Sequence, residues 1–292
     1  MSQQSYENLK MGERGAILSI GAYMILSVIK LYFGFTAGSA ALKADGWNNA
    51  TDIAASLAVL IGLKLSQKPP DKDHGYGHWK SETIASMAAS FIMLGVGIQV
   101  LNGAFMTIMR GQNEPPDPMA AYVALLSAAA MYLVYRYNKR LAKNIRSTAV
   151  MAAAKDNLSD ALVSLGTVIG IIGSQFRMPL LDSITAFIVG LLICKTAWGI
   201  FKQASHELSD GFDEEKISRY QKEMNKIAGV KGIKEIKGRN YGSNEVIDVV
   251  ILVDRSLGIQ EAHDIATHVE EKMKSDHGVY DVHVHVEPEP NQ

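Results

Sequence analysis

Residues 41–52 read ALKADGWNNATD, and residues 152–160 read AAAKDNLSD. Each segment lies within a long apolar run and carries polar residues four apart: Asp45 and Asn49 in the first, Asp156 and Asp160 in the second. A spacing of four puts both side chains on one face of an α-helix, one turn apart. The surrounding runs predict helices in hydrocarbon, where an ionisable side chain costs at least about 2.5 kcal/mol on insertion scales and so faces a partner, a cavity or an ion. A lone Asp or Asn has a plain explanation, a hydrogen bond between helices. Two matched pairs, with Asn48, Asp52 and Asn157 alongside, point instead to two ladders of oxygen ligands.

Outward from these segments, apolar runs cover 16–35, 40–65, 83–109, 119–137, 148–174 and 180–201. Crossing roughly 30 Å of hydrocarbon takes about 20 residues, so each run predicts a membrane span. From His206 onward no such run exists. The organisation expected is an N-terminal cytoplasmic segment over 1–14, a membrane domain over 15–205 and a cytoplasmic domain over 206–292. The polar start, MSQQSYENLKMGERG, lacks the apolar core and small-residue cleavage site of a signal peptide. A formal net charge of −1 over 292 residues argues against nucleic acid as a partner. The single Cys194 excludes disulfides and thiolate clusters within one chain and is read as packing.

Lys and Arg gather in the N-terminal segment (Lys10, Arg14), the second connection (Lys68, Lys72, Lys80) and the fourth (Arg136, Lys139, Arg140, Lys143, Arg146). The intervening turns hold little more than Arg110 and Arg177, so the positive-inside rule places both termini in the cytoplasm. The fourth connection, YRYNKRLAKNIRS, is read as a basic loop against anionic headgroups. Lys30 is the one charge in the first span, free either to snorkel or to face the bundle. Lys155 stands about 100° of helix rotation from Asp156, beside the site or paired with an acid. Gly166 and Gly170 have the spacing that admits close helix approach.

The second connection, SQKPPDKDHGYGHWKSE, combines a helix stop at Pro69 and Pro70 with turning freedom at Gly75 and Gly77. Asp71, His74 and His78 follow at metal-ligand spacing; solvated histidines are the plain alternative. In the tail, Ile217, Tyr220, Met224 and Ile227 form one helical stripe, and Ala262, Ile265, Val269 and Met273 another. EVIDVVILV and VHVHVEP read as strands, with a weaker one over 231–237. The order αββαβ predicts a small α+β sheet layered with two helices. His283, His285 and Glu287 share a strand face, with His263 on the second helix, either as a polar face or subunit contact or as a regulatory metal site.

Six spans, polar pairs in the second and fifth, a DxxHxxxH loop and an αββαβ tail together resemble the cation diffusion facilitator family from about residue 13 to 288. The resemblance implies a six-helix membrane bundle with a ferredoxin-like cytoplasmic domain. It also implies a homodimer in a bacterial plasma membrane that moves a divalent metal out of the cytoplasm in exchange for protons. There is then no prosthetic group, and the metal is the substrate. The family's transport site maps onto Asp45, Asn49, Asp156 and Asp160, its loop site onto Asp71, His74 and His78, and an interfacial charge interlock onto Lys80 and Asp210. Its tail site maps onto His263, His285 and Glu287, but Lys234 and Val250 stand where relatives have His. Zinc-moving relatives carry a His in the fifth span and acids at both positions of the second; Asp156 and Asn49 stand there in this chain, as in the manganese-exporting branch.

All-oxygen ligand sets suit hard ions such as Mn2+, whereas Zn2+ favours imidazole or thiolate. Carboxylates repel one another when the ion leaves, so a proton takes its place and the two compete for the same oxygens. Export of Fe2+, Zn2+ or Co2+ by the same fold is the nearest alternative. Paired acids also raise an intramembrane aspartyl protease, but the GxGD signature is missing. A tail acting as metal sensor on a membrane anchor leaves the intramembrane ligands without a role.

Overall fold

The computed structural model describes residues 3–110, 114–145, 148–176, 178–242 and 244–290. Of the residues discussed above, the Lys10 side chain, Arg146 and Arg177 lie outside those described. Among the described residues six helices are long and apolar enough to cross a membrane: α1 (Gln3–Thr36), α2 (Ala40–Ser66), α3 (Ser81–Arg110), α4 (Met119–Ile145), α5 (Thr148–Gln175) and α6 (Leu180–Leu208). They carry outward-facing apolar side chains such as Ile25, Val28, Leu126, Leu133, Ile169 and Phe176, all exposed. Surface of that kind suits lipid and not water.

The ends of the helices depart from the hydropathy reading. α4 continues to Ile145, so the basic segment expected as a loop is mostly helix. Its Leu, Ala, Lys and Arg are strong helix formers with no Gly or Pro to stop them, and apolarity fades there before helicity does. α6 likewise runs on to Leu208, through the boundary placed at 205–206, and α1 begins at Gln3, ahead of the apolar run that starts at residue 16.

The chain folds into two compact units, Met1–Leu57 with Ala88–Gly199 and Ala58–Met87 with Ile200–Gln292. In the first unit, α1 turns into α2 at Gly38, whose positive φ of 70° favours glycine. The two helices then run back along each other in very close contact. A Cβ at Gly34 would come 2.8 Å from the Lys43 backbone nitrogen, and one at Gly46 would come 2.9 Å from the Leu31 side chain. Ser27 Oγ donates to the Gly46 carbonyl at 3.1 Å across that seam. Of the Gly166 and Gly170 pair, only Gly170 is a close approach, against Thr185 of α6, while Gly166 has open space around it.

The start of α2 is held by an acid from another helix. Asp182 of α6 accepts from Ser39 Oγ at 2.6 Å and from the backbone nitrogens of Ala40 at 2.6 Å and Ala41 at 3.3 Å. Ser39 Oγ in turn accepts from the Leu42 nitrogen at 3.0 Å. Helix N-termini leave amide hydrogens without intrahelical partners, and a side-chain cap is worth about 1 kcal/mol. Asp182 thereby fixes the helix that carries Asp45 and Asn49.

In the second unit, α7 (Glu214–Met224), β1 (Gly232–Tyr241), β2 (Asn244–Val253), α8 (Ile259–His277) and β3 (Asp281–Pro288) follow the αββαβ order. β1 pairs antiparallel with β2, and β3 joins β2 in parallel, giving the sheet order β1-β2-β3. The parallel pair requires a crossover, which α8 supplies. β1 is longer than the 231–237 expected and bulges between Ile233 and Glu235, the irregularity that weakens its pattern. Tyr220, Met224, Ile247, Val249, Ile251, Val269, Met273 and Val282 close the core. Asp213 caps α7 by accepting from the nitrogens of Glu215 at 2.8 Å and Lys216 at 3.4 Å. Gly278, at φ 67°, ends α8 in the left-handed conformation.

Candidate functional site

α1, α2 and α5 bring one polar stripe each to a buried seam. On α1 the stripe is Ser19, Tyr23, Ser27 and Lys30, all buried. On α2 it is Asp45, Asn48, Asn49 and Asp52, with Asp45 and Asn49 completely inaccessible. On α5 it is Asn157, Asp160 and Ser164, also buried.

These side chains pair in two groups. In the first, the fully buried Lys30 ammonium donates to Asp45 Oδ1 at 2.9 Å, Asn49 Oδ1 at 2.7 Å and Ser164 Oγ at 2.9 Å. All three ammonium hydrogens are thereby used. One neighbouring atom, Asp45 Oδ2, is buried and closes no hydrogen bond among the described residues. In the second group, Asp160 accepts from Tyr23 Oη at 2.7 Å and from Asn48 Nδ2 at 3.0 Å. Asn48 Nδ2 also reaches Asp52 Oδ2 at 3.3 Å, so one amide bridges two acids. Behind Tyr23, Asn157 donates to its hydroxyl at 3.0 Å and accepts from Ser19 at 3.1 Å and Asn138 at 2.9 Å.

Of the four residues expected to form the transport site, three are buried in this seam and one is not. Asp45 and Asn49 lie with Lys30, Asp160 lies with Tyr23, and Asp156 is exposed. The carboxylates do not meet at one point; among the described residues they form no cluster with ligand atoms within 4.8 Å of one another. Asn48 links two of the acids, reaching both Asp160 and Asp52. Lys155 is exposed, and Lys30 faces the bundle. Sequence reading passed over Tyr23, Ser164, Asn138 and the stripe 19, 23, 27, 30. Its spacings of four, four and three were the available signal.

In the second unit, Asp71, His74 and His78 do come together, their ligand atoms all within 4.8 Å. Asp71 Oδ1 lies 3.2 Å from His74 Nδ1, and Asp71 Oδ2 lies 3.4 Å from His78 Nε2. The histidine rings are 4.3 Å apart. Backbone nitrogens of His74 and Asp73 donate to Asp71 Oδ1 at 2.8 and 3.0 Å, folding the loop around the carboxylate. The His74 amide is the main reason that Asp71 is held below the usual carboxylate range, so it stays ionised and ready to bind a cation. Lys80 and Asp210 form the expected ion pair at 2.9 Å. Being largely exposed, it contributes little to stability.

The tail residues do not assemble. His263 of α8 and Glu287 of β3 line one open cavity with Ala262, Ala266 and Val286, but His285 is not part of that lining, and among the described residues the three do not bring their ligand atoms all within 4.8 Å of one another. Glu287 is taken by Lys234 at 2.6 Å, and His285 approaches it only to 3.9 Å. A lysine thus stands where a ligand would have to be.

Residues 16–209 match the cation efflux transmembrane domain, and residues 212–289 match the cytoplasmic domain of cation efflux proteins. The chain belongs to the cation efflux family. Relatives of this cation efflux protein include two from Bacillus subtilis at similar distance. The manganese efflux system protein MneS is 55% identical over 285 residues, covering 98% of both chains, and the transporter YdbO is 54% identical over 283. The manganese efflux system protein MneP, from the same organism, is 32% identical over 291 residues, covering 97% of this chain and 98% of that one. The cation efflux protein is therefore an integral membrane transporter with a metal cation as its substrate, not an enzyme. Its cytoplasmic domain is the family's dimerisation domain, and it works as a homodimer.

Proposed function

We infer that this chain exports Mn2+ from the cytoplasm in exchange for protons by alternating access, with both termini cytoplasmic, in the plasma membrane. The observation that carries this reading is the donor set in and beside the seam. Asp45, Asn49, Asp52, Asp156, Asp160, Ser164 and Tyr23 offer oxygen, while every histidine of the chain lies outside residues 79–205 and 1–73. Oxygen sets suit hard dications, and Zn2+ prefers nitrogen or sulfur. The names of MneS and MneP support the same ion.

Asp45, Asn49, Asp156 and Asp160 are the ligands of this reading, Asp156 swinging in from the rim to complete the shell. Once the ion departs, carboxylates left facing one another in a poor dielectric repel, and protons replace the dication on the same oxygens. Competition for those oxygens couples the two flows. Asp71, His74 and His78 are a second dication site, and two imidazoles with one carboxylate also accept Zn2+. The tail contributes no metal site to this reading, since Lys234 holds Glu287.

The test is a panel of metals applied to the purified, reconstituted protein with a proton-sensitive dye. A Mn2+ gradient drives proton movement in the opposite direction, and Zn2+ does so less. Metal movement with no proton signal for any ion contradicts the exchange, and a Zn2+ response above that of Mn2+ contradicts the ion assignment.

A further inference from the structure

Lys30 is the largest completely buried charged side chain described in the first unit, and nothing in the exchange reading gives it work. Its ammonium is bonded to Asp45 Oδ1, Asn49 Oδ1 and Ser164 Oγ, all within 2.7–2.9 Å. Two of these three oxygens belong to residues read as ligands of the transported ion. A cation surrounded by three oxygens is already in a cation's seat. The same group leaves Asp45 Oδ2, a carboxylate oxygen, buried and without a hydrogen-bond partner among the described residues, so the seat offers a cation one acceptor that the ammonium does not use.

The backbone explains why the ammonium sits there. Gly34 and Gly46 let α1 and α2 approach until Lys43 and Leu31 backbone and side-chain atoms fill the space a Cβ would need. Ser27, one turn before Lys30, is tied to the Gly46 carbonyl next to Asp45. The side chain has no water to snorkel to, and Asp45 is the counter-charge that makes its burial tolerable.

We propose that Lys30 is a tethered cation that holds the Asp45 and Asn49 half of the transport seat, and that an arriving dication binds there only by displacing it. The proposal rests on the reading that these residues carry the metal. A dication and an ammonium cannot share the same oxygens, because like charges a few ångströms apart repel strongly in a poor dielectric. Lys30 therefore weakens every metal that enters, keeping the seat charge-compensated when no metal is bound and easing release of a bound one. It acts as a determinant of affinity through the ligands it occupies.

Mn2+ binding to the full-length protein in detergent tests this. Lys30→Gln, which keeps a hydrogen-bonding side chain and loses the charge, binds Mn2+ about tenfold or more tightly than the wild type, whereas Lys30→Arg stays close to wild type. Binding by Lys30→Gln that is unchanged or weaker overturns the proposal, because a lysine that merely positions Asp45 would show that result. A wild-type protein that binds no Mn2+ fails the export reading as well. A wild type that binds, with a Lys30→Gln variant that binds no better, fails this inference alone. Should Lys30→Gln not fold, the wild type decides: in a structure determined with Mn2+, Lys30 Nζ has left Asp45, and retention of the 2.9 Å contact beside a bound ion overturns the proposal.

Discussion

Asp45→Ala and Asp156→Ala each reduce Mn2+-driven proton movement in proteoliposomes to background, but with different effects on the protein itself. Asp45 is the buried partner of Lys30, so its removal strands an ammonium in a sealed interior. Breaking one side of a buried pair costs about 3–5 kcal/mol, and Asp45→Ala accordingly loses thermal stability as well as transport. Asp156 is exposed, and substitutions of that kind stay within about 0.5 kcal/mol of wild type. Asp156→Ala therefore melts like the wild type and still does not transport. Loss of flux without loss of stability is the signature of a ligand, and wild-type flux in both variants removes these residues from the site.

The second large effect is on ion choice. Asn49→Asp combined with Asp156→His places a carboxylate and an imidazole where the proposed ligand set has an amide and a carboxylate. Imidazole favours Zn2+ over Mn2+, so the ratio of Zn2+ to Mn2+ transport rises by about tenfold, equivalent to about 1.4 kcal/mol. The new acid at 49 also faces Lys30, which already lies 2.7 Å from the Asn49 oxygen, so the ammonium is held more firmly and overall flux falls. Competition transport assays read both quantities, and an unchanged ratio counts against ligand hardness as the basis of selection.

The six spans and the αββαβ tail were legible because hydropathy and period-two alternation report burial directly. Helix ends were not, since nothing in a hydropathy window stops at the same place as the backbone hydrogen bonds. The basic residues 136–143 show this: they lower the hydropathy of α4 while favouring its helix. The paired acids were equally legible, but their pairing was not. A spacing of four leaves about 40° between side chains, and on α5 the buried stripe is centred on Asn157, Asp160 and Ser164. Asp156 falls at its edge, on the side away from Asn157, and so is exposed.

Lys30 stood out in the sequence as a lone charge, yet its partner could not be read there. The contact depends on the register of α1 against α2, fixed by the turn at Gly38 and the close approaches at Gly34 and Gly46. The tail illustrates the reverse limit. Alternation put His285 and Glu287 near each other on β3, but it could not show that Lys234 of β1 pairs with Glu287 or that the His263 cavity takes in Glu287 without His285. In the loop, by contrast, the ligands are local, and the spacing of Asp71, His74 and His78 was enough to bring them together.

Anomalous scattering at the manganese edge, from crystals of the full-length protein grown with Mn2+, locates the transported ion most directly. A peak between α2 and α5, within bonding distance of Asp45, Asn49, Asp156 and Asp160 oxygens, is the predicted result. Manganese found only beside Asp71, His74 and His78, in a protein that still transports, would contradict it.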